Sequence, residues 1–202
     1  MGGVFSKWCH IVYVEGNIGS GKTDLLNELE GKGYVVVRES ITEDWTLFPV
    51  YKKDPAKWCL AFQLQVSISI TDRIETAIKN HRGPWPIYVE RSILSTYIFA
   101  KVANECEFIT NTELEIIRRF SLMLNQRFDG YFTKTLFLQC PVDTCLSRIE
   151  DRNRKGEENI TAEYLEKVEG EHDATIEAHW IMIDAKQSQM FVVNDVLKAM
   201  DQ

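Results

Sequence analysis

Residues 15–23 read Glu15-Gly16-Asn17-Ile18-Gly19-Ser20-Gly21-Lys22-Thr23 and follow the short apolar run His10–Val14. Gly16, Gly21, Lys22 and Thr23 satisfy G-x-x-x-x-G-K-[ST], the P-loop pattern that joins a strand to a helix. Glycines let successive backbone N–H groups turn toward a phosphate, and the N-terminus of the following helix adds partial positive charge. The stretch therefore predicts a nucleotide-binding site formed by residues 16–23.

The two side chains that close this loop indicate which ligands it takes. Lys22 can reach the β- and γ-phosphates of a nucleoside triphosphate, and the Thr23 hydroxyl can ligate Mg²⁺. The chain contains neither the N-K-x-D guanine-reading motif nor a D-x-x-G switch, which counts against a GTPase. We expect ATP and Mg²⁺ as the cofactors.

Short apolar runs alternate along the chain with longer segments of helical period, the arrangement of a parallel sheet covered by helices. The predicted strands are His10–Val14, Tyr34–Arg38, Ile87–Glu90, Thr135–Gln139 and Met190–Val193. The predicted helices are Lys22–Leu29, Asp54–Lys79, Ser92–Ala103, Thr112–Phe128, Val142–Arg152 and Thr161–Ala178. We expect one α/β domain over residues 1–202 with the P-loop kinase fold, a five-stranded parallel sheet flanked by helices on both faces.

Composition limits the partners. The 202 residues carry 23 Lys and Arg against 30 Asp and Glu, a net charge of −7, which disfavours binding to nucleic acids. No apolar run approaches the ~20 residues that span a bilayer, and no secretory signal is present, so we expect a cytoplasmic protein. Met1-Gly2-Gly3-Val4-Phe5-Ser6 fits the short N-myristoylation pattern, but one acyl chain would bind a membrane only marginally.

Charged residues follow two of the predicted strands. Glu39 lies beyond the second strand and the pair Glu90-Arg91 at the end of the third, so all three are expected beside the P-loop. Glu39 can accept the proton of an attacking hydroxyl, and its charge would repel an acceptor that already carries a phosphate. Glu90 is a candidate Mg²⁺ ligand, while Arg91 can bind the attacking oxygen.

A basic run stands out in this acidic chain. Arg148 and Arg152 lie four residues apart on one predicted helix, and Arg154 follows in the turn that contains Gly156. An arginine-rich lid of this kind can close over phosphates, exclude water and stabilise the transferring group.

Together these motifs resemble the deoxyribonucleoside kinase family, which includes cellular thymidine, deoxycytidine and deoxyguanosine kinases, an insect multisubstrate enzyme and DNA-virus relatives. The resemblance covers nearly the whole chain. It is carried by Glu15–Thr23, the segment from Glu39 to Trp45, Asp54-Pro55 with Trp58 and Phe62-Gln63, Glu90-Arg91-Ser92, and Arg148-x-x-x-Arg152-x-Arg154. It implies transfer of the ATP γ-phosphate to the 5′-hydroxyl of a deoxyribonucleoside.

The resemblance also implies a role for individual residues. Glu39 is the expected general base, Arg91 its partner, Glu90 lies on the Mg²⁺ side, and Gln63 pairs with the base through its side-chain amide. The remaining implied contacts are aromatic walls at Trp45, Phe62 and Phe99, and sugar contacts at Glu157 and Tyr51. The tract Tyr51-Lys52-Lys53-Asp54-Pro55 is one residue longer than the family pattern, and Ser95-Thr96-Tyr97 is one residue shorter.

Substrate preference is predicted from two positions at which deoxycytidine-preferring members carry Arg and Asp. This chain has Ile70 and Thr96 there, which leave room for the thymine 5-methyl, so thymidine is expected first and deoxycytidine also. The alternatives are a nucleoside monophosphate kinase of thymidylate-kinase type and a non-kinase ATP-dependent switch. The family also implies a homodimer through Ser92–Ala103 and Thr112–Phe128, and feedback inhibition by a deoxynucleoside triphosphate.

Overall fold

The computed structural model describes residues 10–39, 44–83, 86–154 and 156–200. Its five strands form one sheet in the order β2-β3-β1-β4-β5, and every neighbouring pair is parallel. The strands are β1 (His10–Gly16), β2 (Val35–Val37), β3 (Ile87–Glu90), β4 (Phe132–Gln139) and β5 (Ile181–Asp184). The Gly2 lipidation pattern lies outside the described residues.

Eight α-helices occur in the described ranges. They are α1 (Lys22–Gly31), α2 (Phe48–Lys53), α3 (Pro55–Asn80), α4 (Ser95–Glu105), α5 (Asn111–Asn125), α6 (Val142–Arg152), α7 (Ala162–Asp173) and α8 (Gln189–Met200). Side-chain oxygens cap three of them, those of Asp54 on α3, Thr110 on α5 and Thr161 on α7. None of these helices is both long and apolar enough to cross a membrane.

The sheet has an apolar core on each face, because successive side chains of a strand point to opposite sides. On β1, Val12 and Val14 pack with α1, α6 and α8, whereas Ile11 and Tyr13 pack with α3 and α5. All four are buried. The predicted five-stranded parallel sheet with helices on both faces is therefore confirmed.

One predicted strand is wrong. Met190–Val193 lies within α8, and the fifth strand is Ile181–Asp184. Four consecutive apolar residues fit a buried strand and a buried helix segment equally well. The pattern that decides is the longer one, since Val192, Val193 and Val196 recur at helical spacing and are the residues that α8 buries.

Other boundaries differ by less. α4 begins at Ser95 rather than at Ser92, and α7 ends at Asp173 rather than at Ala178. The predicted helix Thr112–Phe128 is α5 followed by a 3₁₀ turn at Gln126–Phe128. The short helix α2 was not predicted, because its Pro49 and its six residues offer little periodicity.

The parallel sheet gathers polar residues from distant parts of the sequence. β1 ends at Gly16 and β3 at Glu90, and Glu39 follows β2 by two residues. Val14 is paired with Glu90, and Val37 with Val89, so these ends lie side by side. The carboxyl edge of the sheet is therefore the place where the P-loop meets the charged residues.

Candidate active site

The P-loop is held in shape by its own backbone and by the lysine that follows it. The Lys22 ammonium donates to the carbonyls of Gly16 at 3.1 Å and Asn17 at 2.7 Å. The Asn17 side chain ties the loop to α7 by donating to the Leu165 carbonyl at 2.9 Å. The Ser20 N–H closes the turn on the Asn17 carbonyl at 3.3 Å.

Two glycines of the loop are required by contact as well as by conformation. Gly19 has φ +82°, and a Cβ there would lie 2.4 Å from the Cys145 carbonyl oxygen. Gly16 has φ +138°, and a Cβ there would lie 2.8 Å from the Leu138 carbonyl oxygen. Both neighbours are backbone atoms, so neither position has room for a side chain.

Lys22 is a buried cation with several charged neighbours. Its pKa is lowered to about 8, chiefly by burial and next by Arg91, while Glu39, Glu90 and Glu15 act in the opposite direction. A bound polyphosphate would supply the anionic partner that favours the charged form. The loop thus holds a buried ammonium group with which a bound phosphate could pair.

Thr23 and Glu90 form the candidate metal position. The Thr23 hydroxyl donates to Glu90 Oε1 at 2.7 Å, and the Glu39 N–H donates to Glu90 Oε2 at 3.3 Å. Within the described ranges, no cluster of three or more His, Cys, Asp or Glu residues could hold a metal. Mg²⁺ keeps several waters and is usually bound by one or two protein oxygens plus substrate phosphates, so a hydroxyl and a carboxylate beside the P-loop fit it.

Glu39 and Arg91 form an ion pair at the mouth of the P-loop, with 2.9 Å between Glu39 Oε1 and Arg91 Nε. The Glu39 side chain is 17% exposed and that of Arg91 4%. Burial raises the pKa of Glu39, Arg91 opposes that change, and the nearby Glu90 carboxylate adds to it. Arg91 also donates to the Gly16 carbonyl at 3.1 Å and lies over the Phe99 ring at 4.7 Å.

A cleft of about 940 Å³ extends from the P-loop to the helices α2, α3 and α4. All the side chains predicted to bind substrate line this one cleft, namely Glu39, Trp45, Tyr51, Phe62, Gln63, Arg91, Phe99 and Glu157. Its size is in the range of small-molecule sites. The residues predicted for metal and for phosphate transfer line it too: Thr23, Glu90, Lys22, Arg148, Arg152 and Arg154.

Aromatic rings form one wall of the cleft. Tyr51 and Phe62 stack with their centroids 4.5 Å apart, and Trp45 meets Phe62 edge-on at 5.7 Å. Tyr51 contributes a ring that packs on Phe62 despite the extra residue in its tract. Gln63 follows Phe62 on α3, is 4% exposed and also lines the cleft.

Ile70 and Thr96, the two positions from which substrate preference is predicted, also line the cleft. The Thr96 hydroxyl donates to the Ile93 carbonyl at 2.6 Å and lies 3.0 Å from Ser67 Oγ and 2.9 Å from Ser121 Oγ. The hydroxyl of Thr96 is therefore already bonded within the protein, to the residue Ile93 before α4 and to side chains of α3 and α5.

The predicted lid arginines make different contacts. Arg148 donates to the carbonyls of Ser20 at 3.3 Å and Ala185 at 2.9 Å, so it lies against the P-loop. Arg152 donates to both carboxylate oxygens of Glu157, at 2.7 and 2.8 Å, and Arg154 lies 3.6 Å from the same carboxylate. In this structure Glu157 is therefore paired with arginines.

Sequence reasoning missed several cleft residues. Lys52 and Phe48 line it from α2, Tyr164 lines it from α7, and residues 187–189 line it before and at the start of α8. Lys52 and Phe48 lie on the same helix as the predicted Tyr51. Their contact, with the Lys52 ammonium 5.4 Å from the centre of the Phe48 ring, depends on α2, which was not predicted. Residues 187–189 could not be assigned to the cleft from the sequence, because the segment that follows them was predicted to be a strand.

Known proteins resemble this chain in sequence and in fold. The sequence profile of the family described as deoxynucleoside kinase matches residues 12–200. A Fowlpox virus protein named "probable deoxycytidine kinase" is 31% identical over 166 residues, 80% of this chain and 69% of its own. Deoxycytidine kinase of Homo sapiens is 27% identical over 208 residues, covering 81% of this chain and 74% of its own.

A solved structure of similar fold is that of deoxyadenosine kinase from M. mycoides with bound dATP. It superposes with a TM-score of 0.81 at 22% identity and covers 95% of this chain and 100% of its own. With the family profile spanning residues 12–200 and the P-loop, acid–arginine pair and aromatic cleft in one site, this chain belongs to the deoxynucleoside kinase family.

Proposed function

We propose that this protein transfers the γ-phosphate of ATP to the 5′-hydroxyl of a pyrimidine deoxyribonucleoside, thymidine first and deoxycytidine second. The observation that carries the proposal is the Glu39–Arg91 pair, 2.9 Å apart at the mouth of the P-loop. A carboxylate at this place suits an uncharged hydroxyl acceptor. It disfavours a nucleoside monophosphate, because the Glu39 carboxylate would repel the phosphate of such an acceptor.

The proposed mechanism assigns each step to a group in the cleft. Glu39 accepts the proton of the 5′-hydroxyl, and its raised pKa brings it closer to the range in which a base works well at neutral pH. Arg91 holds the acceptor oxygen, and Lys22 and Arg148 stabilise charge on the transferring group. Mg²⁺ bound near Thr23 and Glu90 would neutralise charge between the β- and γ-phosphates.

The base is proposed to lie between the aromatic wall and α3. Gln63 offers an amide donor and acceptor side by side, which match the N3 and O4 edge of thymine. Ile70 is apolar, and the hydroxyl of Thr96 is already bonded within the protein, so this end of the cleft suits a methyl group. The relatives named deoxycytidine kinases support deoxycytidine as a further substrate.

Glu157 and the lid arginines are proposed to exchange partners when substrates bind. Arg152 and Arg154 now face Glu157, and a triphosphate would draw both guanidiniums toward the P-loop. Glu157 would then be free to accept a hydrogen bond from the sugar 3′-hydroxyl. Closure of the lid over both substrates would exclude water and so protect ATP from hydrolysis.

A competition panel tests the proposal. Purified protein is incubated with labelled ATP, Mg²⁺ and an equimolar mixture of the four deoxynucleosides, and in parallel with thymidine monophosphate. We expect thymidine monophosphate as the main product, deoxycytidine monophosphate next, and no diphosphate. Product from thymidine monophosphate alone would overturn the proposal in favour of a monophosphate kinase. Hydrolysis of ATP that is independent of added nucleoside would favour an ATP-dependent switch.

Glu90→Gln tests the metal position. Loss of the charged oxygen is expected to raise the Mg²⁺ concentration for half-maximal activity about 10–100-fold, the range typical of residues that support a bound metal. Chelation of the metal should abolish transfer in the unmodified protein. The measurement is a Mg²⁺ titration at saturating ATP and thymidine, with Glu28→Gln on the exposed face of α1 as control. Identical titrations for both variants would remove Glu90 from this role.

A homodimer through α4 and α5 remains part of the proposal, as does feedback inhibition by a deoxynucleoside triphosphate. Three exposed apolar residues on α5 support the first, Ile116, Leu122 and Met123, since such a surface favours a partner. Sedimentation equilibrium at micromolar concentration measures the mass directly.

Inhibition by thymidine triphosphate should be competitive with thymidine.

A further inference from the structure

Glu15 is a buried acid that the mechanism above does not use. It is the last residue before Gly16, and its side chain is 1% exposed. Its carboxylate accepts from the Ser92 N–H at 2.7 Å and from the Ser95 hydroxyl, which lies 2.6 Å from each oxygen. The side chain thus joins the start of the P-loop to the connection between β3 and α4.

That connection carries Arg91 in an unusual backbone conformation. Arg91 has φ +63°, in the left-handed region that residues with a side chain seldom occupy. Its N–H donates to the Val14 carbonyl at 3.0 Å, and the next N–H, that of Ser92, donates to Glu15. Two consecutive residues of β1 therefore hold two consecutive residues of the β3–α4 connection.

The held backbone determines where the Arg91 guanidinium lies. It turns back to the Gly16 carbonyl at 3.1 Å and pairs with Glu39 at 2.9 Å. Ser92 binds Glu15, and Arg91 binds Gly16. Because Gly16 follows Glu15 and Ser92 follows Arg91, these contacts form a closed ring. A shift of the connection would move Arg91 relative to the P-loop and to Glu39 together.

We propose that Glu15 is a positioning residue for phosphoryl transfer, which locks the β3–α4 connection to the P-loop and so sets the distance between the phosphate cradle and the Glu39–Arg91 pair. The inference rests on the proposed function. It differs from a purely structural role because it requires the Glu15 carboxylate to set the positions of groups in the cleft.

Glu15→Gln is the first test, because glutamine keeps an oxygen for the Ser92 N–H and an amide that can face the Ser95 hydroxyl. We expect kcat for thymidine to fall about 10–100-fold, since small misplacements of reacting groups have effects of this size. The dissociation constant of ATP, measured by calorimetry, should change less than about threefold by the same reasoning. KM for thymidine should change less than kcat, because Gln63 and the aromatic wall lie on other elements of the fold.

Ser95→Ala is the second variant and covers the case in which Glu15→Gln does not fold. It removes one donor, keeps the carboxylate charge and keeps the Ser92 contact. We expect a smaller fall in kcat, about 3–10-fold. Thermal melting of each variant accompanies the kinetics.

The outcomes separate the two proposals. No transfer to any deoxynucleoside by the unmodified protein overturns the proposed function itself. Normal activity in the unmodified protein together with unchanged kcat in Glu15→Gln overturns this inference alone. A fall in kcat of Glu15→Gln that is matched by losses of ATP and thymidine affinity, with a lowered melting temperature, assigns Glu15 a structural role and also overturns it. If only Ser95→Ala folds, an unchanged kcat in that variant does the same.

Discussion

Glu39→Gln is expected to lower the turnover of thymidine about 10²–10⁴-fold, the range in which a positioned general base contributes. Glutamine keeps the size of the side chain and an oxygen facing Arg91, but it cannot accept a proton. The phosphate side of the cleft is unchanged, so ATP should bind with nearly the original affinity. Steady-state kinetics and calorimetric titration of ATP measure the two quantities separately.

The pH dependence gives the same prediction a second readout. Burial raises the pKa of Glu39 above the ordinary range of a glutamate, and the base must be deprotonated. Activity of the unmodified protein should therefore be full above this pKa and fall as the pH decreases through it. Glu39→Gln should lose that limb, while the surface variant Glu28→Gln should keep it. Turnover of Glu39→Gln equal to that of the unmodified protein would remove Glu39 from the role of base.

Gly19→Ala is expected to weaken ATP binding about 10²-fold or more, because a displaced P-loop no longer presents its N–H groups to the phosphates. A Cβ at this position would lie 2.4 Å from the Cys145 carbonyl oxygen, and the residue has φ +82°. The neighbour is backbone at the start of α6, so the loop itself must move. Calorimetric titration with ATP measures the loss.

Two other glycines separate the contact from the conformation. Gly33 has φ +90° with nothing within 4 Å of a built Cβ, so Gly33→Ala should cost about 1–2 kcal/mol of stability and leave ATP binding intact. Gly31 has open space in helix α1, so Gly31→Ala should be neutral or stabilising by about 0.5–1 kcal/mol. ATP affinity in Gly19→Ala equal to that in Gly33→Ala would contradict the contact as the cause.

The sequence predicted what depends on neighbouring residues. The P-loop is contiguous, so its glycines, Lys22 and Thr23 could be read from one short stretch. The predicted helices that begin at Asp54 and Thr161 likewise depend on near neighbours, because each of these side chains caps its helix within one turn. The strand predicted at Met190–Val193 was wrong because four residues are too few to show a helical period, which becomes visible only over a longer stretch of sequence.

The candidate site was partly predictable, because charged residues at the ends of parallel strands meet at one edge. This rule predicted from the sequence that Glu39, Glu90 and Arg91 lie close together. It says nothing about side-chain direction. The engagement of Arg152 with Glu157, and the turning of the Thr96 hydroxyl toward Ser67 and Ser121, depend on neighbours 5 to 29 residues away.

By itself the sequence determined the phosphate cradle, the α/β class and the residues that carry charge, because these follow from local pattern and residue chemistry. Only the tertiary structure decided which charges are paired, which are buried and at what distance they lie. Those properties depend on packing between distant segments, as in the contacts of Glu15 with Ser92 and Ser95 across 77 and 80 positions. A buried charge is governed by the few groups within hydrogen-bonding reach, and folding alone brings them together.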